Sequence, residues 1–95
     1  MASLRNLKKD VNNLCYSVID ECLSFLAYSP SLNQENVQII ISDAVELRNK
    51  LIYQINNPDI SNRKGSSKRV YFLKLREELF DETITLVERL NNLPR

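Results

Sequence analysis

Arg48 and Arg76 are the residues from which chemistry could be built, because each stands where a helical repeat calls for an apolar side chain. On a helical projection Arg48 lies among Ala44, Leu51 and Ile52, and Arg76 lies among Phe72, Leu73, Leu79 and Phe80. A lone charge inside an apolar arc is costly. Each guanidinium therefore calls for a carboxylate, and Asp10, Glu21, Glu46, Glu77 and Glu78 are the candidates. One reading packs the arginine stems along the helices while their heads reach a carboxylate at the rim. The other makes Arg48, Asn49, Tyr53 and Arg76 the lining of a polar cleft.

A second constellation is basic. Arg63, Lys64, Lys68, Arg69, Lys74 and Arg76 fall within residues 60–76 with no carboxylate among them, and Arg5, Lys8 and Lys9 cluster near the amino end. Lysine, arginine and free backbone N–H groups suffice to hold phosphate. Arg5, Lys8, Lys9, Arg63, Lys64, Lys68 and Arg69 are thus candidate anion-binding residues, with nucleic acid or a phosphorylated partner as the ligand. The alternative is a solvated loop balanced by the acidic run Glu77, Glu78, Asp81 and Glu82, since Tyr71 is the one aromatic placed to stack on a base.

Other chemistry is disfavoured by composition. The chain has no histidine, so a serine or cysteine nucleophile lacks its usual base, and its single glycine excludes a glycine-rich phosphate loop. Cys15 and Cys22 are seven residues apart on one helix, roughly 10 Å along the axis, too far for a disulfide. They read as reduced thiols packed in a core with Leu14, Val18 and Leu26. Tyr16, Tyr28, Tyr53 and Tyr71 are expected at the core's rim. The sequence thus predicts a non-catalytic protein without metal or cofactor.

The elements that position these residues follow from hydrophobic period. Leu4, Leu7, Val11, Leu14, Cys15, Val18, Ile19, Cys22, Phe25 and Leu26 recur at three- and four-residue spacings, which predicts a helix over residues 3–28. Ser29-Pro30-Ser31 ends it, and Ser31 with Gln34, or Asn33 with Asn36, can cap the next. Val37, Ile40, Ile41, Ala44, Val45, Leu47, Leu51, Ile52 and Ile55 predict a second helix over 33–56, stopped before Pro58. Residues 56–67 read as a loop with room for one short helical turn. A third helix over 67–92 carries Val70, Phe72, Leu73, Leu75, Leu79, Phe80, Ile84, Leu86, Val87, Leu90 and Leu93, with Leu93-Pro94-Arg95 as a frayed end. Its apolar residues cover about half the circumference, wider than a two-stranded coiled-coil seam.

Short connections between long amphipathic helices predict an all-α, antiparallel, up-down-up three-helix bundle forming a single domain over residues 1–95. That topology brings the start of helix 1, the second loop and the start of helix 3 to one end. Thirteen basic against 12 acidic residues leave a net charge of +1, so any electrostatic function is local. The amino end lacks a signal peptide's apolar stretch and no segment approaches the ~20 apolar residues of a membrane span, which predicts a cytoplasmic protein.

The string Glu46-Leu47-Arg48-Asn49-Lys50-Leu51-Ile52-Tyr53 resembles the Arg-Asn-x-x-x-His motif of the HEPN superfamily of helical nucleases and toxin-system proteins. The resemblance implies an RNA-associated helical protein. Here Tyr53 stands in the histidine's place, and a phenol is a poorer proton-transfer group near neutrality than an imidazole. The resemblance therefore implies a degenerate, inactive relative. Over its whole length the chain more nearly resembles small uncharacterised bacterial helical proteins, through Leu4-Arg5-Asn6-Leu7-Lys8-Lys9-Asp10-Val11 and Asp43-Ala44-Val45-Glu46-Leu47-Arg48-Asn49. That resemblance implies an all-α fold and a bacterial source and assigns no site residue.

The expected function is that of a helical interaction or scaffold protein, binding itself as a homodimer or another helical protein through apolar faces. Ile39, on the otherwise polar side of helix 2, and the breadth of helix 3 point that way, because a three-helix domain of this size has a thin core that association would thicken.

Overall fold

A computed structural model describes residues 4–28, 33–57 and 67–93; of Leu4, Ser67 and Lys68 only the backbone is described. The chain is an all-α three-helix bundle: α1 spans Leu4–Tyr28, α2 Gln34–Asn56 and α3 Ser67–Asn91. These bounds lie within a residue of those that the apolar period predicts. The proposed helical turn within residues 56–67 and a capping role for Ser31 lie outside the described residues.

Helix ends are set by asparagines. Asn33 adopts φ 68, the left-handed conformation that asparagine tolerates better than most residues. Its side chain makes no capping bond, contrary to the expected pairing with Asn36, and its carbonyl instead accepts from the Val37 N–H at 2.9 Å. At the other end of α2, Asn57 closes the last turn twice: both its backbone N–H and its Nδ2 donate to the Tyr53 carbonyl, at 2.9 and 3.1 Å. α3 tightens as it ends, with the Leu93 N–H donating to the Leu90 carbonyl at 3.2 Å. Of the expected frayed end, Leu93 instead packs half-buried against the core, and Pro94 and Arg95 lie outside the described residues.

Polar contacts between helices fix the topology. Arg48, in the second half of α2, bonds Asn12 near the start of α1, so these two helices are antiparallel. Arg76, early in α3, bonds Asp10 of α1, so α1 and α3 are parallel. Along α2 and α3 the partners run in opposite directions: Asp43 with Arg89, Lys50 with Glu78, and the Gln54 carbonyl with the Tyr71 hydroxyl. The result is up-down-up, as predicted.

The core is built from one stripe per helix. Leu7, Val11, Cys15, Val18, Cys22 and Phe25 of α1 meet Val37, Ile40, Ala44, Leu47, Leu51 and Ile55 of α2, and Leu75, Leu79, Leu86 and Leu90 of α3 close the prism. Burying a side chain of this size contributes about 1.5–3 kcal/mol. The α3 stripe has a polar member that hydrophobic period passes over. Thr83 is buried, and its hydroxyl satisfies itself within the helix by donating to the Leu79 carbonyl at 2.8 Å, with the Phe80 carbonyl 3.1 Å away. α1 and α2 share the widest interface and α1 and α3 the narrowest. No helix of the described residues is long and apolar enough to cross a membrane.

Candidate functional site

The two arginines that break the apolar pattern lie on different seams. Arg48 Nε donates to Asn12 Oδ1 at 2.9 Å and its Nη1 to Asn49 Oδ1 at 3.0 Å. Arg76 Nη1 forms an ion pair with Asp10 Oδ2 at 2.7 Å. Asp10 and Asn12 are two residues apart on a helix and so project about 200° apart. α1 therefore stands between the two guanidinium groups, with Arg48 on its α2 side and Arg76 on its α3 side.

Arg76 thus finds one of the carboxylates expected for it. Arg48 does not: its partners are amides, which accept a hydrogen bond without stranding a charge when the arginine is removed. The expectation of a carboxylate failed because helical projection separates Asp10 from Asn12 but does not say which of these two sides of α1 faces α2. Tyr53 is exposed and lies about 140° around α2 from Arg48, whereas Asn49, one turn before Tyr53, shares its side. Arg48, Asn49, Tyr53 and Arg76 do not converge on a common point.

The bundle brings part of the basic set together. Because α1 and α3 run parallel, Arg5, Lys8 and Lys9 of α1 share an end with Arg69 of α3. Arg63 and Lys64 lie outside the described residues, as does the Lys68 side chain. The acidic residues that follow on α3 are partly engaged: Lys50 pairs with Glu78.

Both cysteines are free and fully buried. Burial pushes the Cys15 thiol from 9.0 up to about 11, against the opposing pull of Arg48. Cys22 is raised by burial first and by neighbouring Glu21, with Arg89 acting the other way. A buried, protonated thiol packs as a small apolar group. Among the described residues no three metal-ligating side chains gather.

Of the tyrosines, Tyr71 sits at the core's rim, edge-on to Phe72 with ring centroids 5.4 Å apart. Tyr16, Tyr28 and Tyr53 are instead exposed, because each falls outside the stripe its helix buries. An open groove where the start of α2 meets the end of α3 is lined by Asn36, Ile39, Ile40, Arg89, Asn92 and Leu93.

The feature that stands out is the outer side of α3. Val70, Leu73, Phe80 and Ile84 are 45%, 49%, 43% and 56% exposed, and Val87, half-buried, continues their line. Hydrophobic period signals a broad arc here without showing that it divides into an inner and an outer row. No family model matches the chain, and neither the curated proteins nor the solved structures hold a significant match to it.

Proposed function

We propose that this protein is a non-catalytic helical interaction module that self-associates, or binds another helical protein, through apolar residues on the outside of its helices. The observation that carries the reading is the row Leu73, Phe80 and Ile84, exposed along one side of α3. Single exposed apolar residues are ordinary on a protein surface, whereas several aligned on one helix face, here with Glu77 between Leu73 and Phe80, suit an interaction surface. Two buried, unpaired thiols suit a reducing compartment such as a bacterial cytoplasm.

Sedimentation equilibrium at tens of micromolar, paired with affinity capture from the host, tests this. A mass above the monomer, or a protein partner that survives nuclease and high salt, is the expected result. A strictly monomeric protein that captures only salt-labile RNA or DNA would overturn it. That outcome would favour a second reading, an anion-binding end formed by Arg5, Lys8, Lys9 and Arg69 with Arg63, Lys64 and Lys68, because phosphate binding weakens steeply with ionic strength and apolar docking does not.

A further inference from the structure

The outer row of α3 has the spacing of a coiled-coil seam. Val70, Leu73, Glu77, Phe80, Ile84, Val87 and Asn91 alternate steps of three and four residues, which is the heptad repeat. A second row, Phe72, Leu75, Leu79, Leu86, Leu90 and Leu93, faces the bundle core. α3 therefore carries two seams; its own chain fills the inner one and reaches the outer one only at Val87, which packs partly against the core.

Charge along α3 is segregated. Arg69, Lys74 and Arg76 precede Glu77 with no carboxylate between them, and Glu77, Glu78, Asp81, Glu82 and Glu88 follow with Arg89 as the sole cation. Glu77 with Asp81, and Glu78 with Glu82, are like-charged neighbours one turn apart, each pair mildly destabilising within its own helix. The ion pairs of the described residues use Lys50, Arg76 and Arg89, which leaves the exposed Lys74 and Asp81 outside them. Laid parallel, two such helices would oppose like charges. Laid antiparallel, the basic half of each meets the acidic half of the other.

We propose that two copies of this chain pair antiparallel through the outer seam of α3, in the register that stacks Val70 on Val87, Leu73 on Ile84 and Glu77 on Phe80 of the second copy. In this register every apolar member of the row meets an apolar layer or the stem of Glu77. The two-fold axis passes between Glu77 and Phe80, and Lys74 of each copy lies across from Asp81 of the other on the solvent flank of the seam. Glu77 acts as a polar layer that fixes register at a cost in affinity. The row from Val70 to Val87 is about 25 Å long, a seam near the lower limit of specific interfaces, roughly 1,000 Å² in total. A micromolar, concentration-dependent dimer is expected.

The proposal rests on the self-association reading and is tested separately from it by exchanging charges in the full chain. Lys74→Glu and Asp81→Lys should each weaken the dimer about tenfold, since each converts two cross-copy attractions into repulsions. The double variant Lys74→Glu/Asp81→Lys should restore wild-type association. Mixing the two single variants should give a heterodimer tighter than either alone, measured by sedimentation equilibrium, with circular dichroism confirming that each variant remains folded. In parallel pairing Lys74 would instead face Arg69 of the second copy, so Lys74→Glu would tighten the dimer. That result, or a dimer indifferent to both exchanges, overturns the antiparallel seam while leaving self-association standing. A wild-type chain that stays monomeric at a hundred micromolar overturns both.

Discussion

α1 and α3 are equally long, 25 residues each, and they dispose of their apolar residues differently. α1 spends nearly all of them on one continuous inner stripe and leaves Tyr16, Leu23 and Tyr28 as scattered exposures. α3 divides them, with Leu75, Leu79, Leu86 and Leu90 turned inward and Val70, Leu73, Phe80 and Ile84 outward. Equal length thus does not mean equal burial: α3 carries fewer apolar residues than α1 and still leaves more large ones exposed. A helix saturated by its own bundle is structural, and a helix with apolar surface left over is available to something else.

The largest test of this contrast lies within α3. Leu79→Ala removes a fully buried side chain and should cost about 2–5 kcal/mol in denaturant unfolding, whereas Leu73→Ala at dilute, monomeric concentration should stay within about 0.5 kcal/mol of wild type. Equal losses at both sites would erase the distinction between the two faces.

The inner face of α1 can be read by pH. Because the native Cys15 thiol is raised from 9.0 to about 11, its contribution is fully present below pH 9 and is lost as pH climbs toward 11, when the unfolded chain releases a proton that the folded chain keeps. Unfolding free energy should fall by roughly 1–2 kcal/mol between pH 8 and 10.5, and Cys15→Ala should flatten that part of the decline. A slope unchanged by the substitution would mean that the thiol titrates normally and that this face of α1 is wetter than its packing implies.

Smaller effects separate the two flanks of α1. Arg48→Met should cost about 1 kcal/mol, the worth of a hydrogen bond to an amide, and a double-mutant cycle with Asn12→Ala should recover most of it as coupling. Arg76→Met should cost about 1 kcal/mol or less, because both members of its ion pair with Asp10 are only partly buried and solvent screens them. An Arg48 loss near 3 kcal/mol would restore a buried carboxylate as its true partner.

Much of the architecture was legible because period and breakers speak at short range. Pro30 and Pro58 mark where helices must stop, and the three- and four-residue spacing from Leu7 to Phe25 identifies the face that α1 buries. What escaped depends on neighbours. Thr83 reads as polar, yet its hydroxyl is quenched by its own helix, so it can sit in the core. Arg48 reads as needing a carboxylate, yet the rotation of α1 presents Asn12 to it. Tyr16 and Tyr53 read as rim residues, and the bundle has no third neighbour on the sides where they project. For α3 the breadth of the apolar arc was visible in sequence, and its division into two rows appeared only once one row was seen to be filled.

The same segregation of charge along α3 has a consequence for the order in which the chain folds. A helix is already positive at its amino end and negative at its carboxyl end, and α3 begins with cations and no acidic residue in its first turn, although Arg89 complements its last turn. α2 has the opposite bias at its start, where Glu35 meets the positive end. α1 and α2 are also joined by a short connection and share the widest interface. The α1–α2 hairpin is therefore expected to form as the first cooperative unit and α3 to dock onto it last. Native-state hydrogen exchange should then find the amides of α3 opening at lower free energy than those around Cys15 and Leu51.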